Sequence, residues 1–108
     1  MKKMPGDYQY IKDMYKDSYY PNHLVDKVKD EIVKVVAFIE EGGHSNDEIQ
    51  ARFDIMTDAI NDQQDPFDEA GSEIETVARE SIGQTVIDIL NYFEIDIDPE
   101  DAIRNRDW

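Results

Sequence analysis

Between Ser72 and Glu94 the apolar residues Ile74, Val77, Ala78, Ile82, Val86, Ile89, Leu90 and Phe93 recur at helical spacing. At ~100° per residue they spread over more than half the circumference of a helix. A stripe this wide predicts a helix contacted from several sides, at the centre of a small bundle. Upstream, Leu24, Val25, Val28, Ile32, Val35, Val36 and Ile39 form the inner stripe of a helix from about 22 to 41. Asn22 is its expected N-cap, and the left-handed backbone open to Gly42 and Gly43 ends it. Ser45 and Glu48 have the spacing of a capping box, opening a helix over 46–64 whose inner face is Ile49, Phe53, Met56 and Ile60. A linker at 65–71 follows, and a second capping-box spacing, Ser72 to Glu75, places the start of the central helix at 72. Gly83 in its middle costs about 1 kcal/mol relative to alanine, which predicts a close helix crossing there.

The two ends are weaker in pattern. Tyr8, Ile11 and Tyr15 predict a short helix over 7–16, stopped before Pro21 because a residue preceding proline avoids helical angles. Asp98 as cap, Pro99 in the first position and Arg104 and Arg106 in the last turn predict a short helix over about 99–105. Trp108 is expected to tie down the tail by burying its ring. The predicted fold is all-α: a single domain over 1–108, a bundle of three long helices (22–41, 46–64, 72–94), a short N-terminal helical arm and a short C-terminal helix.

Charge narrows the function classes. The formal net charge is −15, and it is concentrated: residues 46–75 hold ten acids against Arg52 alone, net −9. Nucleic-acid binding and adhesion to an anionic membrane both need clustered Lys and Arg, so neither is expected. A basic protein partner remains open, since a field of this sign speeds its approach. Asp47, Asp54, Asp58, Asp62 and Asp65 fall opposite the apolar face of the second long helix. Like charges one turn apart cost roughly 0.2–0.5 kcal/mol per pair, so the row does not stabilise the helix. It reads first as a solvated face and second as a docking strip for a basic partner. The chain has no cysteine, no expected secretory leader and no apolar run of the ~20 residues a membrane span needs, which together suggest a cytoplasmic protein.

Candidate chemistry is sparse. Ser81, Thr85, Asp88 and Tyr92 form a polar row inside the apolar face of the 72–94 helix, and Glu75 and Arg79 border that face one turn apart. Glu75, Arg79, Asp88 and Tyr92 are the candidate pocket residues, although satisfied structural polarity is the first account of such a row. His23 and His44 have no nucleophile at a recognisable spacing. Glu41-Gly42-Gly43-His44 matches a Glu-x-x-His metal motif in letters, but its diglycine breaks the helix the motif requires. No catalytic residue, cofactor or metal is assigned.

The segments MYKDSYYPNHLVDKVK (14–29), GSEIETVARESI (71–82) and DAIRNRDW (101–108) together resemble a family of small acidic bacterial proteins catalogued as a domain of unknown function. The resemblance implies a bacterial, cytoplasmic, stand-alone helical domain and transfers no site residue. Three functions are carried forward. The first is a non-enzymatic binding protein of the immunity or antitoxin type, covering a basic partner. The second is an uncatalogued enzyme or small-ligand binder. The third is a homo-oligomeric structural module that uses the tyrosines of residues 1–21.

Overall fold

A computed structural model describes residues 2–108. They form six helical segments and, among the described residues, no strand: α1 (Lys12–Lys16), α2 (Asn22–Glu40), α3 (Asn46–Asp62), α4 (Gln64–Glu69), α5 (Thr76–Tyr92) and α6 (Pro99–Ala102). The fold is all-α as expected, with three long helices and short helical pieces at both ends. One apolar cluster serves all six, and its fully enclosed side chains include Ile11, Met14 and Tyr20 from the N-terminal arm, Val25 and Ile32 of α2, Phe53 and Ile60 of α3, Phe67 of α4, and Ile82 and Ile89 of α5.

Local chemistry explains where each element starts and stops. The Ser45–Glu48 box opens α3, Ser45 N–H donating to the glutamate at 2.8 Å and Glu48 N–H to the serine hydroxyl at 3.2 Å. Gly42 and Gly43 both take positive φ and end α2. Asn22 is the first residue of α2 rather than its cap, and the Pro21 carbonyl takes the first donors, from Leu24 and Val25.

The central helix begins at Thr76, four residues later than the second capping-box spacing predicts, and ends at Tyr92. The reason lies upstream. Residues 64–69 form the separate helix α4, closed by Gly71 at φ 78° with its N–H on the Asp68 carbonyl and Ser72 N–H on the Phe67 carbonyl (2.8 Å). That pair of bonds is a Schellman closure. Ser72 is spent ending one helix and does not begin the next; its side chain is buried, and Ile74 follows it into the core. Downstream, Glu94 occupies the left-handed C′ position at φ 55°, with Ile95 N–H on the Leu90 carbonyl, so the helix stops two residues before the expected end. Both end helices are shorter than the expected 7–16 and 99–105: α1 cannot start before Lys12 because Ile11 is left-handed, and α6 is a single turn, Pro99–Ala102, capped by Asp98 through Glu100 N–H.

The most extensive helix–helix contact is between α2 and α3, while α5 lies against α1 and α6. α5 still buries more residues than any other helix: Ala78, Ser81, Ile82, Thr85, Val86, Ile89 and Leu90. No helix crosses at Gly83. A methyl group built there meets nothing within 4 Å, and the glycine lies instead on the floor of an open groove of about 610 Å³ between α5 and the C-terminal tail. The close crossing expected from its cost is therefore absent, since the backbone there faces a groove and not a neighbouring helix. No described helix is long and apolar enough to cross a membrane.

Because the helical backbone at position 83 suits alanine and the added methyl group has room, Gly83→Ala should raise stability by about 0.5–1 kcal/mol. Urea unfolding of the two proteins checks this; a loss of stability would mean the groove floor is closed in solution.

Candidate functional site

The polar row on α5 is the seam along which the N-terminal arm is attached. Thr85 Oγ1 accepts from the buried backbone N–H of Ile11 (3.0 Å). Asp88 accepts from the Tyr8 hydroxyl (2.7 Å) and from Gln84 (2.9 Å), and the Tyr92 hydroxyl donates to the Lys3 carbonyl (2.7 Å). Glu75, just before the helix, accepts from the Tyr20 hydroxyl (2.9 Å). Ile11 itself stands at φ 40°, ψ 45°, a left-handed conformation that a β-branched residue adopts only under constraint. The buried bond to Thr85 and the enclosed Ile11 side chain supply that constraint.

The four candidate pocket residues are therefore not brought together. Glu75, Asp88 and Tyr92 hold the arm, whereas Arg79 reaches only the Thr76 hydroxyl (3.2 Å) and lines the groove floored by Gly83. Glu75 and Arg79 make no ion pair among the described residues.

The aspartate row is divided by the C-terminal tail. Arg104 grips Asp54 with two hydrogen bonds, Nε to Oδ1 at 3.1 Å and Nη2 to Oδ2 at 2.7 Å. Asn105 donates to Asp58 (3.3 Å), while Asn61 donates to the Asn105 carbonyl and accepts from Asp107 N–H. Gln50 donates to the Asp101 carbonyl (2.8 Å). The tail thus lies along α3, and Trp108 is buried beside α5. Asp47, at the start of α3, Asp62, at its end, and Asp65, in α4, stay exposed. The hydrogen bonds from Arg104 hold the Asp54 carboxyl below the usual aspartate range, against a smaller opposing effect of burial.

Two clusters escaped the sequence reading. Tyr8, Gln9, Tyr10, Lys12, Tyr15, Lys16 and Lys29 line a groove of about 360 Å³ between the arm and α2. Its signal in the sequence was the pair Lys12 and Lys16, one helical turn apart among tyrosines. Burial pushes the Tyr8 and Tyr15 hydroxyls well above the ordinary tyrosine value, and their bonds to Asp88 and Asp26 push them further. The second cluster surrounds Tyr19, which is 42% exposed on the turn before Pro21. Desolvation, and after it the negative charges of Glu73, Glu75, Asp68 and Asp17, raise its hydroxyl pKa. Among the described residues no group of three His, Asp or Glu side chains is placed to share a metal ion.

Residues 4–108 match the model of DUF5713, a family of unknown function, and the chain belongs to that family. No curated protein and no solved structure matches it.

Two outcomes follow from this geometry. Thr85→Val removes the acceptor and leaves the buried Ile11 N–H unanswered, which should cost about 1–3 kcal/mol, while Thr85→Ser retains most of the stability; denaturant midpoints of the three proteins decide it. Asp54 has a lower pKa folded than unfolded, so its pairing contributes fully above the carboxylate range and is lost as pH falls through the folded value. Asp54→Asn should accordingly flatten the acid limb of the stability curve and cost about 0.2–1 kcal/mol at neutral pH, the range of an exposed pair. An unaltered acid limb would show that the grip of the tail on α3 does not persist in solution.

Proposed function

We propose that this member of DUF5713 is a non-enzymatic binding module that covers a basic protein surface, in the manner of an immunity or antitoxin-type inhibitor working in the bacterial cytoplasm. The observation that carries this reading is Tyr19, a large exposed ring whose hydroxyl feels the negative charges of Glu73, Glu75 and Asp68. An aromatic side chain that stands out of the surface with few rotamers to lose is a favoured anchor at protein interfaces. Those charges suit a basic partner.

The wider surface agrees. The chain has no lysine or arginine between Arg52 and Arg79. Asp62, Asp65, Asp68, Glu69 and Glu73 are exposed and make no ion pair among the described residues. Of the aspartate row, Asp62 and Asp65 are free, while Asp58 accepts from Asn105. Asp54 is committed to Arg104 and Asp47 lies at the other end of α3. Unpaired anions gain from a cationic partner without first losing an internal one, and they steer its approach over the Debye length of about 8–10 Å.

The test is affinity capture from cells of the source organism with three baits: the native chain, Tyr19→Ala, and Asp68→Lys with Glu73→Lys. A basic protein should be retained by the native bait at low salt, released near about 1 M salt, where the Debye length is about 3 Å, and lost from both variants. Capture indifferent to salt and to both variants, or no specific capture, sinks the proposal.

A further inference from the structure

In a protein with a net charge of −15, the groove beside the arm gathers three lysines, Lys12, Lys16 and Lys29, and three tyrosine rings, Tyr8, Tyr10 and Tyr15. None of the three ammonium groups makes an ion pair among the described residues. Of the carboxylates near these rings, Asp88 accepts from the Tyr8 hydroxyl, Asp26 from the Tyr15 hydroxyl and Glu40 from Met4 N–H, and Asp30 alone has no partner among the described residues. These bonds turn both hydroxyls toward protein acceptors. What they leave to a ligand is ring surface and lysine charge.

The rings are held in place. Tyr8 and Tyr10 meet edge to face, 4.9 Å between centres with planes at 89°. Lys29 stands 5.8 Å from the centre of the Tyr10 ring, so a cation and an aromatic face are presented together. Lys12 and Lys16 project from α1, whose start is set by the strained Ile11 and by the bond from Ile11 N–H to Thr85. The groove is therefore preformed by the packing of the arm, and its volume of about 360 Å³ falls within the range of small-ligand sites.

We propose that this groove binds a small aromatic anion, an aryl ring bearing a phosphate or a carboxylate. The ring packs on Tyr10 and its neighbours while the anionic group is met by Lys12, Lys16 and Lys29. The site shares no residue with the acidic surface around Tyr19, so either proposal can fail without the other.

The experiment uses the full chain and phenyl phosphate, with benzoate as the carboxylate arm and inorganic phosphate and phenol as arms lacking the ring or the charge. Binding is read by calorimetry and located by NMR. Phenyl phosphate or benzoate should bind saturably, with shifts confined to the 8–16 segment and Lys29 and none at the Trp108 indole; the tighter of the two identifies the anionic group. Lys12→Gln with Lys29→Gln should weaken binding at least about tenfold, the effect of losing one good contact, and Tyr10→Leu should weaken it without altering the fold seen by circular dichroism. Equal binding of inorganic phosphate or of phenol overturns the proposal. So does shift of the resonances around Trp108, or the absence of saturable binding by either aryl anion below roughly 10 mM, beyond the weak end of specific small-ligand affinity.

Discussion

A backbone N–H enclosed among aliphatic side chains must find an acceptor, and at Ile11 the acceptor is Thr85. Much else depends on that bond. It fixes the arm at the one residue where the backbone is left-handed, which sets the direction of α1 and the positions of Met14, Tyr15 and Lys16. Met14 fills the core directly below. With the arm in place, Tyr8 reaches Asp88 and Lys3 reaches Tyr92, so Thr85, Asp88 and Tyr92 on the most buried helix cost little, because each of the three meets a partner. The arm covers α5 and α5 satisfies the arm.

The long helices were legible because their evidence is local. Stripe spacing and the Ser45–Glu48 box are properties of neighbouring residues, and α2 and α3 appear where they indicate. Errors came where one residue had two possible employers. Ser72 has the right neighbour at 75 for a capping box, yet its N–H closes α4, a helix too short for periodicity to announce. Gly83 was given a packing role that any mid-helix glycine invites, and the neighbour it required is not there.

The candidate sites were less legible still, for a related reason. Asp88, Thr85 and Tyr92 were visible as a polar row, but their partners Tyr8, Ile11 and Lys3 lie 80, 74 and 89 residues away in sequence. No spacing rule reaches that far. Four members of the aspartate row lie on α3 and Asp65 lies on α4, and sequence alone does not divide them into committed and free members without the tail that Arg104 brings across α3. Charge counting places ten acids in one stretch; only the fold separates Asp54, which is gripped, from Asp62 and Asp65, which are not.

The distances along the chain between the arm and α5 bear on how the protein forms. Helical proteins ordinarily fold fast because their contacts are local, and each long closure adds an entropic delay. Here the helices themselves are local, but full attachment of the first twenty residues waits for a partner near position 85. Tyr15 and Tyr10 find neighbours early, in Asp26 and Lys29 of α2, but Ile11 N–H and the Tyr8 hydroxyl wait for Thr85 and Asp88 of α5. The arm is thus tied to α2 by a hydrogen bond across 11 residues and to α5 by closures of 74 and 80.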